Sequence, residues 1–139
     1  KQAATFAKET QEVERRAVEA ALAAERALGR VPEEMPRNNP GFDIRSTDPA
    51  DPLAHRYYLE VKGRIAGSNT FTITNSEINF AQNHKDTHRL VLVSVHPDGP
   101  EFDEVRYVTY AFDDMEVSMS THSCNEDWSH YWGQGGAPV

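Results

Sequence analysis

Residues 88–97, HRLVLVSVHP, place the strongest constraint on how this chain can fold. Leu90 to Val93 form an unbroken apolar run, and Val95 extends it. A strand with one wet face alternates apolar and polar residues, whereas a continuous apolar run marks a strand buried on both faces. Such a strand needs cover on two sides. The pattern below gives a helix, then three strands, a second helix and two strands, of which this is the first. That order predicts an α/β or α+β domain, a mixed sheet with helices against it.

Residues 6–29 are rich in Ala, Glu, Arg and Leu, strong helix formers, and Gly29 is a natural stop. At roughly 100° per residue, Phe6, Val13, Ala17, Ala20, Ala21, Ala24 and Leu28 gather on one side, widened by Val18 and Leu22. Glu14 and Glu25 project within the same stripe, about three turns apart. Residues 30–41, with Pro32, Pro36, Pro40 and Gly41, read as a loop.

FDIRS at 42–46 reads as a short strand and residues 55–65 as a second. Tyr57, Leu59 and Val61 share one face of that strand; Tyr58, Glu60 and Lys62 share the other. AGSN reads as a hairpin turn into the strand TFTIT, so 42–46, 55–65 and 70–74 are expected as an antiparallel meander under the first helix. Thr74-Asn75-Ser76-Glu77 fits a capping box and predicts a helix over about 75–86. EVRYVTYAF is a further strand. After residue 112 the pattern weakens. EDWSHYW reads as a short helix and GQGGAPV as a flexible tail, dividing the chain into a core at 1–112 and an extension at 113–139.

At 139 residues the chain is long enough to bury a core without disulfides, and its single cysteine, Cys124, permits no intrachain one. No apolar run is long enough to cross a bilayer and no signal-peptide pattern opens the sequence, so a cytoplasmic, membrane-free setting is expected. The formal charge is −8. Domains that bind nucleic acid unaided are usually basic. The charge argues against a free-standing, high-affinity DNA binder, but not against a catalytic module brought to its substrate by a partner.

Glu14 on the helix, Asp43 on the first strand, and Glu60 and Lys62 on the second support one chemistry together, phosphodiester hydrolysis. Asp43, Glu60, the carbonyl of Val61 and waters would give a magnesium-like oxygen shell. A metal there can activate water and offset charge on a phosphate, and a neighbouring lysine can orient that water. Taken singly, Glu-x-Lys on a strand is a solvated face with a weak ion pair. The conjunction carries the reading.

The strings GFDIRS, YYLEVKGR and FTITNSE resemble the PD-(D/E)XK nuclease superfamily, and more closely the C-terminal domain type named after the plant NO VEIN protein. The resemblance spans about residues 10–112. It implies a restriction-endonuclease-like core with a mixed sheet flanked by helices, and a magnesium- or manganese-dependent nuclease. By resemblance Asp43 and Glu60 are metal ligands and Lys62 the catalytic lysine. Glu14 fits the helix carboxylate of the pattern best, with Glu25 as runner-up. It further implies attachment to a helicase or ATPase domain or subunit, with DNA ahead of RNA as the polymer. The alternatives are an inactive module that binds nucleic acid or a protein partner, and a plain scaffold.

Other residues carry smaller expectations. Glu77 reads as the closing residue of the capping box rather than a catalytic one. Asn75 and Ser76 open the helix, where backbone donors can meet a phosphate. Arg37, Arg45, Arg64 and Lys62 are candidates for a local basic patch, although Arg64 alone reads as a surface charge. His84 and His88 are expected to be exposed. His122, Cys124 and His130 match no zinc spacing. Trp128, Tyr131 and Trp132 read as cover for a core edge, with base stacking as the alternative.

Overall fold

The computed structural model describes residues 2–65, 67–118, 120 and 122–139, with side chains from residue 10 onward. Helix α1 spans Gln2–Ala27; strands β1, β2, β3 and β4 span Val31–Glu34, Ile44–Thr47, Arg56–Ile65 and Thr70–Thr74. Helix α2 spans Asn75–Asn83, followed by β5 at His88–Val95, β6 at Glu104–Thr109, β7 at Ser123–Asp127 and helix α3 at Trp128–Gln134. The main sheet has the order β1-β2-β3-β5-β6, with β3 and β5 parallel and the other pairs antiparallel. The parallel pair requires a crossover, which β4 and α2 supply. Strands β4 and β7 form a separate two-stranded sheet.

Strand β5 is covered on both faces, as its apolar run requires. Ala17, Ala21 and Leu22 of α1 pack on one face with Ile44, Leu59, Val91, Val93, Val95 and Tyr107. On the other, Leu90, Leu92 and Val108 lie beneath Phe71, Ile73, Ile78, Ala81, Phe112, Trp128 and Tyr131. Each large apolar side chain buried here stabilises the fold by about 1.5–3 kcal/mol before entropy is counted. Helix α1 ends in a Schellman turn: Arg30 N–H donates to the Glu25 carbonyl at 3.0 Å and Gly29 N–H to the Arg26 carbonyl at 2.9 Å. Gly29 sits at φ 83, where a side chain would strain the backbone. The Phe6 side chain, placed by sequence on the apolar stripe, lies outside the described residues.

Four expectations are corrected. The stretch 30–41 is not all loop, because β1 pairs with β2 as an edge strand, the position in which Pro32 is tolerated. The meander stops at two strands. β2 pairs with β3, but β4 turns away to pair with β7, so that Phe71 and Ile73 face the core. Ala66, in the expected hairpin turn, lies outside the described residues. Helix α2 ends at Asn83 because His84 leaves the helical backbone at φ −131. The segment after 112, expected as an extension with a flexible tail, packs into the domain: β7 completes the second sheet, Trp128 and Tyr131 enter the core, and Gly136 bridges to Tyr107.

Candidate active site

Strand β2 ends its pairing where Ile44 faces Leu59, while β3 continues to Ile65 with only β5 beside it. The second half of β3 therefore has an open edge. Asp43, the residue before β2, closes the near end of that gap. Its N–H donates to the Leu59 carbonyl at 2.8 Å, and its Oδ2 accepts the Val61 N–H at 2.8 Å. A strand residue directs its N–H and C=O to the same side, so the Val61 carbonyl faces the Asp43 side as well.

Glu60 and Lys62 lie on the face of β3 turned toward α2. The Lys62 Nζ stands 3.2 Å from Glu60 Oε2 and 3.3 Å from Glu77 Oε1. Glu77 belongs to the capping box of α2: Thr74 Oγ1 accepts its N–H at 3.1 Å, and Glu77 Oε1 accepts the Thr74 N–H at 2.9 Å. The cap expectation holds, but the same oxygen also receives Lys62. Sequence reasoning assigned Glu77 the first role only. The signal for the second was its place at the end of the string running from Asp43 through Glu60 and Lys62.

The cluster opens into a cleft of about 870 Å³ whose walls include Glu14, Arg15, Glu34, Arg37, Asp43, Glu60, Lys62, Arg64 and Glu77. Glu14 is exposed on the α1 wall. Glu25 is elsewhere and fully buried, with Arg30 Nε at 2.8 Å and the Tyr107 hydroxyl donating at 2.5 Å. Arg37, Lys62 and Arg64 line the cleft, whereas Arg45 is held by Glu33 at 2.9 Å on the β1–β2 hairpin. Helix α1 comes close to β3 because residue 63 is glycine. A Cβ there would stand 2.7 Å from the Ala17 Cβ.

Burial sets the electrostatics. It pushes the Glu60 carboxyl well above the usual carboxylate range; Lys62 opposes this, while Asp43 and Glu77 add to it. Burial also raises Asp43, against the Val61 N–H that favours its charged form. Burial pulls Lys62 down, but the surrounding carboxylates outweigh it and leave the ammonium's pKa raised. For Glu77 burial works upward, and Lys62 with the Thr74 N–H brings the net direction down.

Glu60 is 1% exposed, and its Oε1 is buried with no hydrogen-bond partner. A buried oxygen of this kind costs free energy unless something satisfies it. Asp43, Glu60 and the Val61 carbonyl are all hard oxygen donors, the set that suits magnesium or manganese. Among the described residues no three His, Cys, Asp or Glu side chains are drawn together as a cation cage, and that includes His122, Cys124 and His130. Two carboxylates and one carbonyl leave the remaining positions to water and substrate, as magnesium prefers.

His88 departs from expectation. It is 2% exposed at the start of β5, its ring 6.3 Å from Phe112, because the first residue of a doubly covered strand is covered too. His84 is half-buried and stacks on Phe80 at 4.0 Å. Among the described residues no helix is long and apolar enough to cross a membrane.

The sequence model of the family described as Protein NO VEIN, C-terminal, matches residues 13–108. No curated protein matches the chain. Among solved structures, the Holliday junction resolvase Hjc of the archaeal hyperthermophile Archaeoglobus fulgidus is similar in fold, with a TM-score of 0.55. The two are 13% identical, and the match covers 89% of this chain and 90% of the resolvase. The core is thus restriction-endonuclease-like, with a mixed sheet flanked by helices.

Proposed function

The chain belongs to the family of NO VEIN C-terminal domains, and from that membership and the cluster around Lys62 we propose that it is a metal-dependent nuclease module. The observation that carries the proposal is the buried Glu60 carboxyl, whose Oε1 accepts no hydrogen bond and which is grouped with the Asp43 and Glu77 carboxyls. Asp43, Glu60 and the Val61 carbonyl hold a magnesium or manganese ion. Bound there, the ion supplies an acidified water and polarises a phosphate oxygen. Lys62 orients the water by hydrogen bond and offsets charge as it grows on the phosphate. Glu77 fixes the far side of the Lys62 ammonium. Glu14, on the cleft wall, steadies the water shell from α1.

DNA is the proposed polymer, supported by the fold shared with a Holliday junction resolvase. A charge of −8 supports delivery by a partner, with a helicase or ATPase domain or subunit as the proposed carrier. A second reading is a module that binds nucleic acid or a partner without cutting. It is favoured by the two Lys62 ion pairs, which partly satisfy the cluster with no metal. The test is cleavage of single- and double-stranded DNA and RNA in magnesium or manganese, using the chain joined to its natural partner. Metal-dependent cutting abolished by Asp43→Asn supports the nuclease; binding of nucleic acid with no cutting of any substrate leaves the second reading.

A further inference from the structure

The cleft is crowded with charge, and two of the four cations that line it, Arg15 and Lys62, are held in ion pairs. Arg15 forms a forked pair with Glu34 at 2.9 and 3.0 Å and also reaches Glu19 at 3.0 Å. Lys62 is divided between Glu60 and Glu77. Arg37 is exposed on the connection between β1 and β2. Arg64 is built differently. Its Nη1 donates to the Ser68 carbonyl at 2.7 Å, and its guanidinium carbon lies 5.2 Å from the centre of the Trp128 ring. Trp128 is 1% exposed and fixed in the core. The guanidinium is therefore held at two points. Its Nε is nevertheless buried without a hydrogen-bond partner, and no carboxylate pairs with it among the described residues. A buried charged donor left unmatched is costly, and a planar fork of donors is suited to phosphate.

Its position is set by the strand. Glu60, Lys62 and Arg64 alternate on one face of β3, so each lies about 6.6 Å beyond the last. That spacing is of the order of one nucleotide step along a nucleic acid backbone. We propose that Arg64 is a phosphate-binding residue for the nucleic acid substrate, holding the phosphodiester next to the one placed at Lys62. The inference rests on the nuclease reading of the cleft and adds to it a fixed anchor that sets which phosphate is cut. Arg64 binds substrate; it does not take part in the bond-breaking step.

The test reads binding and cutting separately. Dissociation constants of a labelled DNA oligonucleotide are measured by fluorescence anisotropy in calcium over a salt series. Arg64→Ala weakens binding about tenfold at low salt and reduces the slope of log K against log salt by about one. Arg64→Met, which keeps an apolar stem over Trp128, does the same, so a packing defect in the alanine variant does not account for the loss. Arg64→Lys keeps most of the slope. In wild-type protein, one uncharged methylphosphonate walked along the strand gives a single sharp loss of binding, and that loss is absent in Arg64→Met. Wild-type salt slope in both neutral variants, or a methylphosphonate profile that the substitution leaves unchanged, overturns the proposal even where cutting is seen. The expected slope change with no cutting in magnesium retains the anchor and overturns the nuclease reading instead.

Discussion

Lys62 Nζ and Glu77 Oε1 stand 3.3 Å apart, joining the central strand to the first turn of α2. The same oxygen closes the capping box of that helix. One carboxylate thus fixes both where α2 begins and where the lysine points.

The two roles can be separated. Thr74→Ala removes the cap's side-chain oxygen and leaves Glu77 charged. It is expected to cost about 1 kcal/mol of stability with little change in cutting rate. Glu77→Gln keeps an acceptor for the Thr74 N–H but weakens the hold on Lys62. It is expected to leave the melting temperature close to wild type while lowering kcat about tenfold. Thermal unfolding and steady-state kinetics on both variants check this; equal losses of rate in the two would reduce Glu77 to a cap.

Metal binding and catalysis should part at Lys62. Asp43→Asn and Glu60→Gln each remove a ligand, so titration calorimetry with magnesium or manganese should show lost affinity alongside lost cutting. Lys62→Ala keeps both carboxylates. It is expected to bind metal and to cut about a hundredfold more slowly. Lys62→Arg should not restore the rate fully, because a guanidinium is bulkier and does not give up a proton.

His88 gives the fold an acid-side weakness. Burial, then the nearby charges of Arg89 and His84, bring its pKa down to about 4, against 6.5 unperturbed. Between those values the unfolded chain binds the proton and the folded chain does not. Stability therefore falls as pH drops from 6.5 toward 4, by up to about 3 kcal/mol at the 1.36 kcal/mol of one pKa unit. His88→Phe should flatten that part of the stability curve, as read from urea midpoints across the pH range. An unchanged slope would assign the acid sensitivity to other groups.

Much of this was legible in the sequence, and the failures have physical causes. The alternation Tyr57-Leu59-Val61 against Tyr58-Glu60-Lys62 predicted β3 because side-chain direction on a strand is local. The run at 90–93 predicted cover on both faces for the same reason. Strand pairing is not local. Nothing around Thr70–Thr74 states that its partner is Ser123–Asp127, and a short connection after β3 reads as a hairpin whichever neighbour β4 chooses. Pro32 argued against a strand because its edge position is a property of the assembled sheet. Asp43 and Glu60 were visible as candidates. The contact of Lys62 with Glu77 depended on where α2 crosses the sheet, which no periodicity encodes.

Gly63 tests how closely α1 must sit. The Cβ of Gly63→Ala would approach the Ala17 Cβ to 2.7 Å and the Val13 carbonyl oxygen to 3.2 Å. The helix that carries Glu14 must then lift from β3, at an expected cost of about 1–3 kcal/mol. Ala17→Gly in the same chain removes the closest contact and should recover part of the loss, despite glycine's own cost of about 1 kcal/mol within a helix. A double variant no more stable than the single one would place the strain elsewhere.

The two helix carboxylates should respond in opposite ways. Glu25 is fully buried with Arg30 and Tyr107, on an arginine that also donates to the Val139 carbonyl at 2.8 Å. Glu25→Ala leaves a buried guanidinium without its counterion, and breaking such a pair typically costs about 3–5 kcal/mol. It touches neither Asp43 nor Glu60, so any protein that remains folded should bind metal as wild type does. Glu14 is exposed on the cleft wall. Glu14→Ala should change stability by less than about 0.5 kcal/mol, as surface changes do, while lowering cutting with the metal still bound. Denaturant unfolding, metal titration and cleavage on the same two proteins decide the matter. Lost cutting in folded Glu25→Ala with full cutting in Glu14→Ala would reverse the assignment.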